Sequence, residues 1–405
     1  MLVAWSGHQP EVSTTVDRPA VPAGAGRLPA LVDAAALVDA PGGERAWRDL
    51  VRSARHANPF LDPDVLLPAL RHLPPPGGAR LLTGGTEDRL ELLLPVTTGH
   101  RVPRNPVRAT VAWQHTHHFL GTPLVAPGLH QRGWRSALRD LAAGGDAWFV
   151  LPLTDLDVVQ DVEAAARGLG LTSRRLEERV RPVTHRHEHD DYAAQRLSGR
   201  RRKELRRVRR RLDEAVGGGL DLVDLVDGAT APAVEAALEQ FLGLEAAGWK
   251  GTDGGAFAAN PAERAFFLES CRALAADGRL EVLALQGHEG GPVAMVVNLR
   301  SGDALFTFKI AYDEQHAAYS PGLLLYLEQL SRFHTSGAAL VDTCAEPDHP
   351  MARRLHGDDR CLVTLAVSLG PHRGALAVRW AHTVTRLAGA VRRHRAPTRQ
   401  REDHP

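Results

Sequence analysis

The sequence is poor in cysteine and has no long hydrophobic run. Its three cysteines, Cys271, Cys344 and Cys361, are an odd number without Cys-x-x-Cys spacing, which excludes a disulfide scaffold and a cysteine-based zinc ribbon. No apolar stretch approaches the roughly 18 residues that a membrane-spanning helix needs. The first residues lack both the basic start and the apolar block of a signal peptide. These absences predict a soluble, reduced, cytoplasmic protein without a transmembrane segment.

An excess of charge of one sign is also missing. The chain of 405 residues carries 49 Lys and Arg against 48 Asp and Glu, a formal net charge of +1. Because this balance leaves no basic footprint over the whole molecule, we expect no nucleic acid partner. Hydrophobic residues make up 43% and charged residues 24%, as in globular proteins. The length suits two or three domains of roughly 100–200 residues each.

Composition divides the chain into four segments. We expect a poorly ordered leader rich in Pro, Ala and Gly over 1–44 and a first domain over 45–190, which ends in a polar, histidine-rich stretch. A second domain over 191–370 and a basic C-terminal helix and tail over 371–405 follow. Strands and helices intermix in both domains, which predicts a mixed α/β architecture of the α+β class.

The second domain contains a run of strand patterns that predicts an antiparallel meander. Short turn sequences separate the three strands, which cover 279–286, 292–299 and 304–311. A loop, a helix and a last strand follow. The first domain repeats this order loosely, so we expect an internal duplication. Each copy would have a mostly antiparallel central sheet flanked by helices.

The segment Ser320-Pro321-Gly322-Leu323-Leu324 predicts a distinctive helix start. Ser favours the N-cap and Pro the first helical position. The amides of Gly322, Leu323 and Leu324 are then expected to lack intrahelical acceptors at the positive end of the helix dipole. No Glu or Gln stands at the third position to bind them. We interpret the segment as a pyrophosphate site; the alternative is an ordinary buried helix whose first turn binds water.

Several motifs, taken in order, resemble those of a known family. They are Arg202-Lys203-Glu204-Leu205-Arg206-Arg207, Leu244-Glu245 with Trp249-Lys250-Gly251, Lys309-Ile310-Ala311-Tyr312-Asp313, the helix start above, Asn58-Pro59-Phe60-Leu61 and Phe119-Leu120-Gly121-Thr122-Pro123-Leu124. Over roughly residues 45–365 the chain resembles the GNAT superfamily of N-acetyltransferases. It resembles more closely the CelD-type acetyltransferases associated with bacterial cellulose biosynthesis. The resemblance implies two tandem GNAT-like domains, of which the second binds acyl-CoA.

The resemblance also implies where acyl-CoA lies. The third meander strand would hold the pantetheine and the thioester oxygen by its backbone, at Phe308, Lys309 and Ile310. The diphosphate would lie at the helix start, whose assigned residues are Tyr319, Ser320, Pro321, Gly322, Leu323 and Leu324. Acetyl-CoA or another acyl-CoA would be the co-substrate, and the amine of a small molecule or sugar the acceptor. No metal is expected.

Four side chains are candidates for catalysis. Lys309 is a cation in an otherwise apolar strand and needs a partner there, for which Asp342 and Glu245 are candidates. It either orients the acceptor or acyl group, or is an edge lysine that reaches water. Glu245 and Asp342 are candidate general bases, or else structural partners of lysines. Three tyrosines, Tyr312, Tyr319 and Tyr326, stand near the loop, and any one of them is a candidate proton donor to the leaving thiolate; Tyr312 is the one counted among the catalytic candidates.

Two pairs of residues are assigned to the acceptor side of the pocket. Trp249 and Lys250 are expected to wall the pocket, although a helix-capping loop with one buried Trp is the alternative. His117 and His118 are expected to face the cleft between the domains. The histidines of the polar stretch, His185, His187 and His189, alternate as metal ligands can. With no cysteine and no scaffold around them, we interpret them as solvated.

Two other functions remain open: a Fem-like aminoacyl transferase using charged tRNA, and a non-catalytic, degenerate GNAT protein that binds a partner. The basic run over 196–211 fits RNA or a phosphate-bearing ligand. Because no aromatic residues interleave for base stacking, we favour a solvated face that also attracts an anionic cofactor. The basic C-terminal segment either makes a weak peripheral contact with a membrane or an acidic partner, or docks on the body of the protein.

Overall fold

The computed structural model describes residues 31–86, 88–248, 255–288 and 290–395, which form one large mixed sheet with helices on both faces. The strands are β1 (Leu31–Val32), β2 (Arg80–Thr86), β3 (Arg89–Arg101), β4 (Arg108–Ala112), β5 (Leu124–Val125), β6 (Trp148–Asp155), β7 (Ser173–His185), β8 (Asp221–Asp224), β9 (Leu280–Gln286), β10 (Pro292–Ser301), β11 (Ala304–Tyr312), β12 (Leu340–Asp342) and β13 (Asp358–Ser368). The helices are α1 (Ala34–Asp39), α2 (Gly43–Ser53), α3 (Pro63–His72), α4 (Gln131–Ala143), α5 (Leu156–Gly168), α6 (Tyr192–Arg196), α7 (Gly199–Ala215), α8 (Ala231–Ala247), α9 (Pro261–Ala276), α10 (Pro321–Thr335), α11 (Pro350–Leu355) and α12 (Arg373–Arg395). Short 3₁₀ turns cover Pro59–Leu61, Phe257–Ala259 and Glu314–Tyr319.

The apolar strands of the second half explain why helices cover both faces of the sheet. In β10, Met295 and Val297 enter the core beneath α8 and α9, whereas Ala294 and Val296 enter the core beneath α7 and α10. Successive side chains of a strand point to opposite faces. A strand that is apolar at nearly every position therefore needs cover on both sides.

The sheet contains two similar halves. Its strand order is β1-β2-β3-β4-β6-β13-β7-β12-β11-β10-β9-β8, and β5 pairs with β3. In the first half an antiparallel meander, β2 to β4, leads through α4 to β6, which is parallel to β4. In the second half the meander β9 to β11 leads through α10 to β12, which is parallel to β11. The predicted α+β class with two similar halves is confirmed.

The closing strand of each half is exchanged with the other half. Strand β7, which follows β6 in the chain, pairs with β12, and β13, which follows β12, pairs with β6. The two exchanged strands also pair with each other, from Asp358 opposite Val183 to Val367 opposite Ser173. Neither half therefore completes its sheet without a strand from the other.

Apolar and ionic contacts add to the exchange. The ring of Phe60, from the first half, lies 6.5 Å from Phe306 and 6.1 Å from Phe308 of the second half. Arg279 donates to Asp62 at 2.5 Å and also to Asp64. One hydrophobic core thus runs through both halves.

The structure can be compared with the sequence-based expectations at both ends of the chain. Residues 31–44, assigned to the poorly ordered leader, instead form β1, α1 and the start of α2, because Val32 and Leu37 are buried and β1 pairs with β2. The rest of that leader, residues 1–30, lies outside the described residues. The basic C-terminal segment forms α12, which docks Ala377 and Val378 against the sheet. No helix in the described part of the chain is long and apolar enough to cross a membrane.

Candidate functional site

The sheet opens between β11 and β12. Only Ala304, Leu305 and Phe306 of β11 pair with β12, which ends at Asp342. Strand β11 continues to Tyr312, and no described strand covers that edge beyond Phe306. The backbone N–H and C=O groups of an uncovered edge can bind an extended ligand in the way they would bind another strand.

A β-bulge lies in the uncovered part of β11. Across β10, Lys309 pairs with Val297 but Thr307 pairs with Asn298, so Phe308 is the extra residue. A bulge disrupts the ladder and turns side chains locally. Phe308 packs in the aromatic core beside Phe257, and Lys309 lies against that same ring. The bulge therefore places two consecutive side chains of β11 in one layer.

A cavity of about 290 Å³ lies at this open edge. The end of β11, the last turns of α8 and the start of α11 supply its lining, which consists of Leu244, Glu245, Gly248, Ile310, Ala311, Tyr312, His349 and Met351. Sequence reasoning placed Glu245, Ile310 and Tyr312 at the site and missed His349 and Met351. A signal was available for the last two, because Pro350 marks a helix start beside them.

Glu245 is buried and has a defined partner at the cavity. One carboxylate oxygen, Oε2, accepts a hydrogen bond of 2.9 Å from the backbone amide of Phe257. The residue stands in the last turn of α8, so this bond ties the helix end to the segment that covers Lys309. Glu245 thus has a structural contact and a position at the cavity at once.

The start of α10 differs from the expected geometry. Ser320 adopts a left-handed conformation with φ of 50° and makes no side-chain cap. Its carbonyl accepts hydrogen bonds from the amides of Leu323 at 3.0 Å and Leu324 at 3.2 Å. The prediction that three amides are bare is therefore wrong for these two, because the carbonyl of the N-cap residue accepts the first intrahelical bonds. Among the described residues, the backbone N–H of Gly322 has no hydrogen-bond acceptor.

Gly322 lies directly beside the cavity. A Cβ atom added there would lie 3.6 Å from Cδ1 of Tyr312, 3.8 Å from Cδ1 of Ile310 and 3.9 Å from Cε of Met351. These three residues line the cavity. Pro321, Leu323 and Leu324 are buried and anchor the helix, whereas Ser320 is exposed. The helix start thus presents Gly322 to the cavity and uses its neighbours for packing.

Basic residues of α7 lie beside this helix start. The guanidinium carbon of Arg211 is 5.7 Å from the ring centroid of Tyr319, a distance typical of a cation–π contact. Arg209 donates to Glu328 of α10 at 2.8 Å. Lys203 and Arg207, about two turns and one turn before Arg211, are exposed. The helix therefore brings positive charge to the loop that precedes α10.

Asp342 belongs to a buried ion-pair network. Its carboxylate accepts from Arg360 at 2.8 Å, from Arg181 at 3.3 Å and from the amide of Cys344 at 2.8 Å. Arg360 also binds Asp155 at 2.6 Å. The expected pairing of Asp342 with Lys309 is therefore wrong. Both carboxylate oxygens of Asp342 already accept from guanidinium groups, which joins β12 to the exchanged strands and disfavours its assignment as general base.

Lys309 faces aromatic rings between the two halves. Its Nζ lies 4.7 Å from the ring centroid of Phe257 and 5.6 Å from that of Phe119. Cations at such distances are attracted to the negative ring face. This position next to the bulge keeps Lys309 in the layer that separates the first half from the cavity-lining strand.

The two histidines predicted at the cleft do lie between the halves, but they do not line the cavity. His117 Nε2 is 2.9 Å from Oε2 of Glu263, and His118 Nε2 is 2.8 Å from the carbonyl of Leu120. The ring of His118 stacks on Phe60. Their assignment to substrate binding stays a prediction. Trp249 and Lys250, the other two residues assigned to the acceptor, lie outside the described residues.

His115 joins this layer and belongs to a set of three histidines with lowered pKa. Burial lowers the pKa of His115 to about 2, with smaller contributions from His118, His117 and Lys309. Burial also lowers the pKa of His118 to about 4, partly opposed by its bond to Leu120. His356 has a pKa of about 4, again through burial and partly opposed by Asp342. All three are neutral in the folded protein near pH 7.

We expect the free energy of unfolding to decrease as the pH falls from about 6.5 to about 4. The three folded pKa values lie below that of an unfolded histidine, so the unfolded state binds protons first on acidification. Each histidine contributes a slope of about 1.4 kcal/mol per pH unit. Urea unfolding between pH 7 and 4.5 measures the slope. His118→Gln should make it shallower, whereas His130→Gln, at an exposed side chain, should not. A stability independent of pH over this range would contradict the prediction.

The histidine-rich polar stretch has no metal-site geometry. His185 pairs with Asp358 through Nδ1 at 3.1 Å, and His187 packs against the ring of Tyr192. Among the residues the structure describes, no three His, Cys, Asp or Glu side chains are grouped so that they could hold a metal ion.

Comparisons with known proteins agree with this geometry. Residues 199–349 match the family model described as an acetyltransferase (GNAT) domain, a region that contains the meander, the open edge, Gly322 and the start of the segment after β12. No curated protein has a significant sequence match to the chain.

Two solved structures share the fold over most of the chain. The crystal structure of FemX has a TM-score of 0.53 and 11% identity, and the match covers 80% of this chain and 95% of that chain. A conserved protein of unknown function from Bacteroides thetaiotaomicron VPI-5482 has a TM-score of 0.51 and 13% identity, and the match covers 80% of this chain and 96% of that chain. At such identities the likeness shows the fold alone.

Proposed function

We propose that the protein is an acyl-CoA-dependent N-acyltransferase, of the CelD type and cytoplasmic. It would transfer an acyl group, in the first instance acetyl, from the CoA thioester to an amine of a small molecule or sugar. The observation that carries the proposal is the uncovered edge of β11 beside a cavity of about 290 Å³. This edge lies inside the region that matches the acetyltransferase domain.

The binding of acyl-CoA follows from the two ends of the site. The pantetheine, an extended chain with two amides, would hydrogen-bond to the backbone of β11 from Phe308 to Ile310, as an added strand does. The diphosphate would lie at the start of α10, where the amide of Gly322 and the positive end of the helix dipole favour an anion. Tyr319 and Arg211 border that position. Only one of the three amides first assigned to the diphosphate remains available.

The reaction would be a direct attack of the amine nitrogen on the thioester carbonyl. Formation of the C–N bond would give a tetrahedral intermediate. A backbone N–H of the bulged strand would bind the oxyanion of this intermediate, and the C–S bond would then break. The amine loses one proton and the departing thiolate gains one, so the products are an amide and free CoA. Holding both reactants at the open edge supplies the orientation that such a step needs.

Side chains at the cavity would move these protons. Glu245 lies on the cavity wall and would accept the proton of the attacking amine, and Tyr312, on the same wall, would donate to the thiolate. Lys309 would orient the reactants from the far side of the bulge. Trp249, Lys250, His117 and His118 would contact the acceptor.

Ligand-dependent stability tests the proposal. Acetyl-CoA should raise the melting temperature, because a ligand at about 100 times its Kd stabilises the folded state by about 2.7 kcal/mol. Thiol release from acetyl-CoA, measured with a panel of amines and amino sugars, should then identify acceptors. Matched samples with charged tRNA test the alternative of an aminoacyl transferase, which the exposed basic residues of α7 favour. Stabilisation by tRNA alone, or by neither ligand, would overturn the proposal.

A further inference from the structure

Helix α12 has an exposed apolar stripe. Leu376 is 66% exposed, Trp380 53% and Leu387 62%. Their spacing of four and seven residues places them on one face of the helix. The opposite face carries Ala377, Val378 and Ala381, which are buried against the sheet. One face of the helix is therefore docked on the sheet, and the other presents large apolar side chains to solvent. Grouped exposed apolar side chains mark an interaction site, whereas single scattered ones are normal on a protein surface.

Arginines surround this stripe. Arg373, Arg379 and Arg386 are exposed on the same helix, and at 100° per residue they fall on either side of the line through Leu376 and Leu387. A neighbouring segment, residues 100–108, adds three more exposed arginines, which are Arg101, Arg104 and Arg108. Two hydrogen bonds hold this segment to α12: Trp380 Nε1 donates to the carbonyl of Arg104 at 2.7 Å, and Asn105 Nδ2 donates to that of Ala377 at 3.0 Å.

The arginine surface, defined here as the stripe with these six arginines, is without acidic partners. The sequence has no Asp or Glu between Asp359 and Glu402, nor between Glu91 and Asp140. Within the described ranges none of the six guanidinium groups forms an ion pair with a carboxylate. Elsewhere on the molecule several helix arginines do pair with carboxylates, as Arg272 does with Glu235 and Arg264 with Glu239.

We propose that the arginine surface binds the surface of an anionic lipid bilayer. Apolar side chains, a tryptophan and flanking arginines on one helix face are what interfacial helices use: the apolar groups enter the headgroup boundary and the cations bind lipid phosphates. A second copy of the chain is a poorer occupant, because a two-fold contact would bring twelve unpaired guanidinium groups together. Nucleic acid would satisfy the arginines but not cover the leucines.

Vesicle co-sedimentation of the full-length protein tests the proposal. We expect binding to vesicles of phosphatidylcholine with phosphatidylglycerol, and much weaker binding to phosphatidylcholine alone. Arg379→Glu with Arg386→Glu should lower the partition coefficient about tenfold or more, since each arginine near an anionic surface contributes appreciably and reversal adds repulsion. Leu376→Ser with Leu387→Ser should lower it with little change in salt dependence. All four positions are exposed, so the variants should keep the wild-type melting temperature.

The second basic surface of the molecule provides the matched control. Arg206→Glu with Arg207→Glu, on α7, removes the same charge from exposed positions and should leave vesicle binding nearly unchanged. The proposal is overturned if anionic vesicles do not bind, or if the α7 variant loses binding while the α12 variants keep it. It is also overturned if the wild-type protein does not bind vesicles but forms a concentration-dependent dimer or an RNA complex, and the α12 variants lose that dimer or complex.

Discussion

Replacing Arg360 by methionine is expected to destabilise the folded protein by about 3–5 kcal/mol, the usual effect of removing one partner of a buried ion pair. The guanidinium group binds Asp155 at 2.6 and 2.8 Å and Asp342 at 2.8 Å. The three side chains are 10%, 9% and 0% exposed. Burial opposes the charge of Arg360, but the two carboxylates outweigh it and raise its pKa. Without Arg360, Asp155 has no guanidinium partner among the residues that the structure describes.

The effect should reach both halves of the molecule, because Asp155 ends β6, Asp342 ends β12 and Arg360 lies on the exchanged strand β13. Urea unfolding measures it. Arg354→Met, at an exposed position of α11, is the matched control and should change stability by less than about 0.5 kcal/mol. Adding Asp155→Asn to the Arg360 variant should recover part of the loss, because it removes the uncompensated charge. Equal midpoints for the two methionine variants would show that the network contributes nothing.

Replacing Gly322 by valine is expected to weaken acetyl-CoA binding about tenfold or more. The Cβ itself fits, since its nearest neighbours lie at 3.6–3.9 Å. The two methyl groups must extend towards Tyr312, Ile310 and Met351 or into the cavity, where they occupy space that the ligand needs; a loss of about 1.4 kcal/mol of binding free energy lowers the affinity tenfold. They would also cover the amide that we assign to the diphosphate. The measurement is a titration of acetyl-CoA by calorimetry or by thermal shift.

Gly243→Val is the matched control for this variant. Gly243 also lies in a helix, α8, and a Cβ there meets nothing within 4 Å. Both variants should keep the melting temperature of the unliganded protein within a few degrees. Unchanged affinity in the Gly322 variant would place the diphosphate elsewhere, even if the protein proved to be an acyltransferase.

The meander and the helix after it could be read from local sequence. Apolar strands of seven to ten residues, separated by short Gly-containing turns, have few alternatives, and Gly302 takes the positive φ of 55° that such a turn requires. Pro321 defines the first residue of α10. These features depend on residues that are neighbours in the chain, so the sequence pattern is enough to predict them.

The details of the helix start did not follow from the pattern. The sequence predicts Ser320 as the N-cap of α10, but Ser320 follows a 3₁₀ turn in a left-handed conformation and its side chain makes no cap. Its carbonyl then takes the amides of Leu323 and Leu324. Side-chain preference describes the average N-cap, whereas the direction from which a loop enters depends on what the loop packs against.

The sequence by itself determined the α+β class, the second meander and the position of α10, because each rests on propensity or on a short-range motif. Gly322 and Glu245 stay predicted site residues, which the structure places at the cavity. Only the tertiary structure decided the rest. In the folded protein β7 and β13 are exchanged between the halves, and Asp342 pairs with Arg181 and Arg360. His349 and Met351 lie with Glu245 at one cavity. The physical reason is that strand pairing and ion pairing at a distance are chosen by burial of the whole molecule, and no spacing along the chain encodes them.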